Sequence, residues 1–216
     1  MNCIICGSET ELIKDNKFED VYFKCEKCEV IFLQRDHILK KSDEKKEYSR
    51  HNNSLENNGY VNSFRELIDR YIIDIAGNIK EKRILDFGCG PNPVLAKILK
   101  RYDADVDHYD PIFFDKQLEK TFYDIVLSTE VFEHLKDPYT ELEVIKDILK
   151  PNGFLFIKTQ FHNNIVNDFL KWWYRRDPTH IIFYTPETFK YMAKNAGYDI
   201  IYTDNEEVIV LKKGKS

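Results

Sequence analysis

The sequence predicts an α/β protein in which a mostly parallel sheet, covered by helices on both faces, follows a small cysteine-framed module. Three observations lead to this fold class. Apolar, strand-like runs alternate with helix-like segments from residue 82 onward, a glycine-rich turn at residues 84–92 joins the first run to a helix, and four cysteines stand in two close pairs before residue 29. Strand–helix alternation with continuous apolar strands is typical of a parallel sheet buried on both faces.

The predicted strands of the sheet are short apolar runs bounded by turn residues. In chain order they are residues 83–87, 104–110, 123–129, 154–160, about 198–203 and about 207–212. Asp204-Asn205 joins the last two as a hairpin, so one of these strands is expected to run antiparallel to the others.

Capping residues mark the predicted helices. Ser63 and Glu66 have the spacing of a capping box for an amphipathic helix over about 63–76, which Gly77 would end. The other predicted helix limits are Pro93 for a helix over 93–102, Asp137-Pro138, Thr185-Pro186 and Gly197.

The cysteine spacing Cys-x2-Cys-x18-Cys-x2-Cys predicts a tetrahedral zinc site. Its ligands would be Cys3, Cys6, Cys25 and Cys28. Four thiolates leave no open position on zinc, so we expect the site to be structural. A module of residues 1–35 is below the size that a core alone stabilises, and metal binding would supply the missing folding energy.

The remaining chain divides at a change of composition. Residues 36–59 are charged, rich in asparagine and poor in apolar residues, which predicts a linker, or a flap that orders over a ligand. Residues 60–216 would form the larger domain.

Composition bounds the partners and the compartment. The formal net charge is −5, so the protein as a whole is not attracted to nucleic acid, although a local basic patch remains possible. No apolar run reaches the length of a membrane span, and the N-terminus lacks the pattern of a signal peptide. Five cysteines without a secretion signal predict reduced thiols and a cytoplasmic location.

The glycine-rich turn predicts a nucleotide-like ligand at the carboxyl ends of the strands. Asp86 ends the first strand, and Gly88 and Gly90 allow the backbone to approach a ligand closely. Asp110, at the tip of the second strand, is placed to accept hydrogen bonds from both hydroxyls of a ribose. Dinucleotide-binding enzymes share this layout, but here the loop reads Asp-x-Gly-x-Gly, with the acid before the first glycine.

The chain resembles the class I S-adenosylmethionine-dependent methyltransferases over roughly residues 60–212. The motifs that carry the resemblance are LDFGCGP (85–91), YDPIFF (109–114), TEVFEHL (129–135) and WWYRRDPTHIIFY (172–184). It implies a Rossmann-like methyltransferase sheet and S-adenosylmethionine as the cofactor. The family places a further helix and strand after the second strand, yet only 12 residues separate Asp110 from Tyr123. We therefore expect a shortened third-strand region.

The resemblance also implies a role for each loop. Asp86, Gly88 and Gly90 would line the methionine part of the cofactor, and Asp110 would hold the ribose. The remaining implied cofactor contacts are Pro111 and Ile112 beside the adenine, and Thr129, Glu130 and Val131 on the inner face of the cavity. The usual third glycine of the loop is Asn92 in this chain.

Residues 161–185 are inserted after the fourth strand and are dense in aromatic, arginine and histidine residues, as expected of a substrate-recognition loop. The candidate substrate residues are Trp172 and Trp173, which would wall a flat or apolar acceptor, and Arg175 and Arg176, which would grip a carboxylate or phosphate. Core packing of the tryptophans and surface ion pairing of the arginines are the alternatives.

A hydroxyl acceptor must lose a proton, and histidine suits that task. His180 is the first candidate for the base and His134 the second, whereas we expect His162 to be structural. Three hypotheses for the function follow. The first is methyl transfer to a small or medium-sized metabolite, with oxygen as the expected acceptor atom. The second is RNA or tRNA modification guided by the zinc ribbon, which the acidic balance of residues 1–35 disfavours. The third is a cofactor-binding scaffold without turnover.

Overall fold

The computed structural model describes residues 1–48, 54–114, 118 and 122–214. Its strands, in chain order, are β1 (Glu11–Asp15), β2 (Asp20–Lys24), β3 (Ile31–Leu33), β4 (Arg83–Phe87), β5 (Asp105–Tyr109), β6 (Tyr123–Thr129), β7 (Leu149–Lys158), β8 (Ile182–Phe183), β9 (Tyr198–Thr203) and β10 (Val208–Lys213). Its α-helices are α1 (Lys41–Tyr48), α2 (Asn58–Leu67), α3 (Ile73–Ala76), α4 (Val94–Leu99), α5 (Pro138–Ile148), α6 (Val166–Phe169) and α7 (Pro186–Ala196).

The main sheet has the predicted Rossmann-like form. In the described part of the chain, six strands lie in the order β5-β4-β6-β7-β10-β9. β4 pairs in parallel with β5 and β6, and β6 pairs in parallel with β7. β10 pairs antiparallel with both β7 and β9, so it is the antiparallel strand that the terminal hairpin predicted.

The central strands of this sheet are buried on both faces, as the continuous apolar runs require, whereas the edge strands β5 and β9 are only partly buried. Ile84 belongs to the core on one face, and its neighbour Leu85 belongs to the core on the other. The same alternation separates Val210 from Leu211 in β10. Successive side chains of a strand point to opposite faces, so one apolar run supplies two cores.

The third-strand region is short, as expected. Residues 111–113 form a turn after β5, and the described residues between β5 and β6 contain no strand. The rest of this connection lies outside the described residues. Among the residues that the structure describes, β5 is therefore the edge strand of the sheet on this side.

The predicted caps of the two longest helices are confirmed. Asp137 accepts a hydrogen bond from the Thr140 amide and begins α5. The Thr185 side chain caps α7, and Gly197 ends it in the left-handed conformation at φ 71°. Polar side chains satisfy amides that have no partner inside the helix, so the caps fix where each helix begins.

The capping box at Ser63 is wrong. The Ser63 hydroxyl donates to the Tyr60 carbonyl inside α2, and Asn57 caps the helix six residues earlier, accepting from the Tyr60 amide. Residues 68–72 then form a π-helical turn between α2 and α3. Gly77 ends α3 at φ 72°, as predicted.

A second, smaller sheet has the order β1-β2-β3-β8 and is antiparallel throughout. Three of its strands lie in residues 1–35, but β8 comes from the inserted segment 161–185. The buried side chains of this sheet are continuous with the core on one face of the main sheet. Residues 36–59, predicted as a linker or flap, contain α1 and the start of α2.

One buried ion pair joins the module to the inserted segment. The Arg175 guanidinium, which is 1% exposed, contacts the Asp15 carboxylate in β1. The same guanidinium donates to the carbonyls of Phe169 at 3.0 Å and Leu170 at 2.6 Å. The pair therefore fixes the path of the inserted segment against the first strand of the module.

None of the helices in the described part of the chain combines the length and the apolar character that crossing a bilayer requires.

We expect Arg175→Met to lower the free energy of unfolding by about 3–5 kcal/mol, because it leaves the Asp15 carboxylate buried without its partner. Urea denaturation measures the change. The matched control is Arg176→Met, since Arg176 is exposed and donates only to the Lys171 carbonyl. We expect the control to change stability by less than about 0.5 kcal/mol. Equal losses in the two variants would contradict a structural role for the buried pair.

Candidate functional site

A cavity of about 360 Å³ opens at the carboxyl ends of β4, β5 and β6. Its volume lies within the range of small-molecule sites. All nine residues predicted to contact the cofactor line it: Asp86, Gly88, Gly90, Asp110, Pro111, Ile112, Thr129, Glu130 and Val131. The structure thus brings together three loops that are separated by up to 45 residues in the sequence.

The turn after β4 requires glycine at its first position. Gly88 has φ 76°, and a Cβ built there would lie 2.4 Å from the Val131 Cγ2 atom. The amides of Gly88 and Cys89 donate to the Tyr109 carbonyl at 2.7 and 3.2 Å, which ties the turn to the end of β5. The missing side chain at Gly88 therefore lets the turn pass close to the loop after β6.

Asp110 holds two of the loops in place. Its carboxylate accepts hydrogen bonds from the Gly90 amide at 3.0 Å, from the Ile112 amide at 2.8 Å and from the Phe113 amide at 3.2 Å. A carboxylate has about four lone-pair sites, so one remains for a further donor.

Asp86 is 2% exposed and lies under the glycine turn. Its Oδ2 atom accepts from the Ala96 amide at 3.2 Å in α4. Burial raises the pKa of Asp86 to about 7, and the Ala96 amide opposes part of that rise. The side chain therefore links the end of β4 to α4.

The end of β6 supplies an acidic wall. Glu130 has φ 54° and directs its side chain toward the cavity. Its Oε2 atom accepts from the Tyr174 hydroxyl at 2.9 Å, and its Oε1 atom lies 3.6 Å from Lys158 Nζ. Burial and the nearby Glu133 carboxylate raise the pKa of Glu130 to about 8, although Lys158 acts against them.

Both candidate base histidines line the cavity opposite the glycine turn. His134 Nδ1 lies 2.9 Å from the Thr179 carbonyl, and His180 Nδ1 lies 2.7 Å from the Tyr174 carbonyl. A carbonyl only accepts, so we assign the proton of each neutral ring to Nδ1 and the lone pair to Nε2. Burial lowers the pKa of His134, which favours its neutral form.

The predicted substrate residues differ in whether they line the cavity. Trp173 lines the cavity and is 64% exposed. Trp172 is outside the cavity lining, and its ring packs on those of Tyr174 and Phe183. These ring contacts favour the alternative that Trp172 packs against the core instead of binding a substrate.

The two arginines also lie away from the cavity lining. Arg175 is committed to the buried pair with Asp15, so its guanidinium is not presented to a substrate. Arg176 is exposed and donates to the Lys171 carbonyl at 3.2 Å. The prediction that Arg175 grips an anionic substrate is therefore corrected, because its guanidinium already donates to Asp15 and to two backbone carbonyls of the inserted segment.

His162 is buried and lies outside the cavity lining. Its Nδ1 atom accepts from the Asn164 amide at 3.1 Å, and burial lowers its pKa to about 4. These contacts favour the expected structural role.

The sequence prediction missed two groups of residues at the cavity. In the first, Tyr174 lines the cavity and its hydroxyl donates at 2.5 Å to Oε1 of Glu133, which is fully buried behind the lining. The signal for Glu133 was its position three residues after Glu130 and beside His134. The other group comes from α1 and α2: Glu44, Tyr48, Tyr60 and Phe64. The ring centre of Tyr48 is 5.1 Å from that of His134.

The four paired cysteines form a second, separate group. Their sulfurs lie within 4.8 Å of one another, with Cys3 Sγ 3.5 Å from Cys28 Sγ and Cys6 Sγ 3.4 Å from Cys25 Sγ. A tetrahedral ion with bonds of about 2.3 Å to sulfur separates its ligands by about 3.8 Å, so the arrangement fits a metal of that geometry.

Part of this chain is similar in sequence to known O-methyltransferases. The chain is 27% identical to the ubiquinone biosynthesis O-methyltransferase of Yersinia enterocolitica, over 41% of this chain and 47% of the relative. It therefore spans about half the length of the curated relatives that it matches.

Solved structures share the fold. One is the 1,6-didemethyltoxoflavin-N1-methyltransferase of Burkholderia thailandensis, with S-adenosylhomocysteine and 1,6-didemethyltoxoflavin bound. It superposes with a TM-score of 0.57 at 12% identity, covering 96% of this chain and all of that chain. A second is a methyltransferase of Thermotoga maritima described as a possible histamine N-methyltransferase, with a TM-score of 0.54 at 15% identity, covering 80% of this chain and all of that chain.

A family model described as a methyltransferase domain matches residues 60–203, which is most of the chain. This match covers β4 through β9 and all of the predicted cofactor loops. The chain therefore belongs to the methyltransferase domain family.

Proposed function

We propose that the protein transfers a methyl group from S-adenosylmethionine to an oxygen atom of a small or medium-sized metabolite. One observation carries the proposal: a single cavity joins the predicted cofactor loops to two histidines with Nε2 lone pairs and to an exposed tryptophan. The similarity to ubiquinone biosynthesis O-methyltransferases supports an oxygen acceptor.

The residues at one end of the cavity fit the cofactor. The glycine turn and Asp86 would hold its methionine part, and the remaining lone pair of Asp110 would accept from the ribose. Pro111 and Ile112, which lie at the outer edge of the sheet where the third-strand region is short, would border the adenine. When bound, the cofactor supplies an electrophilic methyl group on a sulfonium.

The residues at the other end fit the acceptor. Trp173 offers a flat apolar surface, and His134 and His180 present Nε2 atoms on which a hydroxyl group could place its proton. Transfer of a methyl group is an in-line displacement, so holding the acceptor oxygen opposite the sulfonium supplies much of the rate.

We also propose that Cys3, Cys6, Cys25 and Cys28 bind a structural zinc ion. The amides of Ile5 and Cys6 lie 3.3 and 3.5 Å from Cys3 Sγ, and such donors stabilise a thiolate ligand. Thiolate ligands persist in a reducing compartment, which agrees with the predicted cytoplasmic location.

The module that carries the cysteines supports the acceptor side of the cavity. Its β3 pairs with β8, and the Leu33 amide donates to the Ile181 carbonyl at 2.8 Å, one residue after His180. The zinc would therefore stabilise the sheet on which the acceptor segment is mounted, although no ligand of the metal lines the cavity.

We expect Asp110→Asn to weaken the binding of S-adenosylhomocysteine by about 1–3 kcal/mol, because the amide replaces a charged acceptor of hydrogen bonds. Isothermal calorimetry measures the change. The matched control is Asp105→Asn, since Asp105 begins the same strand and its side chain is 67% exposed. Unchanged affinity in Asp110→Asn would mean that the ribose lies elsewhere.

We expect the wild-type protein to methylate hydroxylated aromatic metabolites, and Trp173→Ala to raise KM for the acceptor about tenfold with little change in KM for S-adenosylmethionine. A radiolabelled methyl-transfer assay over a panel of acceptors measures both constants. Ile165→Ala is the control, because Ile165 is exposed in the same segment but outside the cavity lining. The panel also includes tRNA at low salt, and transfer to tRNA alone would overturn the proposal. Cofactor binding without any turnover would favour a scaffold.

We expect the purified protein to contain about one zinc ion per chain, and Cys25→Ser to lose it, because three thiolates hold zinc less well than four. Elemental analysis measures the content, and Cys89→Ser serves as the control because Cys89 lies in the glycine turn. Chelation should increase hydrogen exchange in residues 1–35 and in β8, with affinity for S-adenosylhomocysteine nearly unchanged. Zinc retained in Cys25→Ser would refute this ligand set, and loss of cofactor affinity would make the module part of the active site.

A further inference from the structure

A second group of potential metal ligands lies in the wall of the cavity, away from the four cysteines. It consists of Glu133, His134 and His180, whose ligand atoms all lie within 4.8 Å of one another. Glu133 is fully buried, His134 lies at the cavity surface, and His180 is 8% exposed. No role assigned above to Glu133 explains a buried carboxylate at this position.

The two imidazoles are oriented as metal ligands are. Each Nδ1 is held by a backbone carbonyl, which fixes the ring and leaves the Nε2 lone pair directed inward. The Nε2 atoms of His134 and His180 lie 3.8 and 4.0 Å from Glu133 Oε1. Both distances exceed that of a hydrogen bond, and in this tautomer neither Nε2 carries a proton to share with the carboxylate. Three electron-pair donors therefore converge on a small volume.

The two carboxyl groups in this volume have few hydrogen-bond partners. The Tyr174 hydroxyl has one proton, yet it lies within hydrogen-bond distance of both Glu133 Oε1 and Glu130 Oε2. Glu133 Oε2 is buried and has no hydrogen-bond partner in the described structure. Of these two carboxyl groups, Lys158 Nζ pairs with that of Glu130, at 3.6 Å from Oε1, and it also pairs with Glu207 Oε2 at 2.9 Å. A buried carboxylate with an unsatisfied oxygen is costly unless a cation accompanies it.

We propose that Glu133, His134 and His180 bind a divalent transition-metal ion of the Mn²⁺ class at the wall of the cavity. Two imidazoles with one carboxylate favour a first-row transition ion over Mg²⁺ or Ca²⁺, which prefer oxygen ligands alone. Bonds of about 2.1 Å would place the donors about 3.0–3.4 Å apart. The separations of 3.8 and 4.0 Å from Glu133 would then shorten by about 1 Å or less, and the separation of the two imidazole donors, which is at most 4.8 Å, by at most about 1.8 Å. Asp177 Oδ2, 3.9 Å from His180 Nε2, lies at the margin of this site.

The role of the ion rests on the proposed function. Three protein ligands leave open positions, and the cavity is the side from which a hydroxyl group can reach them. A hydroxyl oxygen on a divalent ion loses its proton to water more readily. The oxygen then forms its bond to the methyl carbon as the carbon–sulfur bond breaks, giving a methyl ether, S-adenosylhomocysteine and a proton. In this arrangement the two histidines act through the ion, and proton transfer to either ring is not required.

Binding of Mn²⁺ to the full-length, zinc-loaded protein tests the site directly. We expect electron paramagnetic resonance to show one bound Mn²⁺ per chain, with nitrogen couplings from imidazole in the pulsed spectrum. Glu133→Gln should weaken binding by more than about tenfold, and His180→Gln should remove the nitrogen couplings of one imidazole and leave those of His134. His37→Gln is the matched control and should bind as the wild type does, because His37 pairs with Asp20 in the module, far along the chain from the cluster.

Each outcome decides the proposal separately from the proposed function. Absence of imidazole couplings in the wild type overturns the metal site, and this readout does not depend on the variants folding. Equal Mn²⁺ affinity in the wild type and in folded Glu133→Gln overturns it as well. Circular dichroism checks the variants, and calorimetry with S-adenosylhomocysteine is run on the same samples. Methyl transfer that persists after Mn²⁺ removal, with zinc retained, overturns the role in transfer. Mn²⁺ binding without any cofactor binding would instead overturn the proposed function and leave the metal site standing.

Discussion

The close approach of β4 and β6 at their carboxyl ends is the constraint on which the cavity depends. Gly88 can sit against Val131 only because it lacks a side chain, and its amide is then held by the Tyr109 carbonyl at the end of β5. Asp110 adds a carboxylate that binds the backbone of two loops at once. Three strand ends are thereby locked around one space, and the parallel sheet determines that they meet on the same edge.

The part of the cavity formed by the inserted segment 161–185 is built differently, because it depends on contacts between distant parts of the chain. The inserted segment adds β8 to the small sheet and buries Arg175 against Asp15. It also contacts the turn after β6, where the Ile181 amide donates to the Glu133 carbonyl at 2.8 Å. The small sheet of the N-terminal residues therefore supports the inserted segment 161–185.

Two carboxyl groups and two imidazole rings lie together in the wall between the two sides of the cavity, and the packing of the fold does not require them there. Glu130 and Glu133 share the Tyr174 hydroxyl, and His134 and His180 face Glu133 from two different segments. Burial raises the pKa of both carboxyl groups and lowers that of His134, so the wall favours neutral groups unless a cation enters. Proteins that share a fold can act on different substrates, so the function of this protein has to be inferred from the residues of this wall.

The sequence alone determined the elements whose signals are local. Strands 83–87 and 123–129, the caps of α5 and α7 and the glycine turn were predicted from periodicity and from residues within one helical turn. Local signals failed where two of them competed: Asn57 and Ser63 both suit a cap, and packing of the amphipathic face of α2 selected the earlier one. Only the tertiary structure determined which groups surround the side chains of Arg175 and Glu133. Their partners lie 160 and 47 residues away along the chain, at Asp15 and His180, and a charge pattern does not reveal whether a side chain meets water, a counter-ion or two imidazoles.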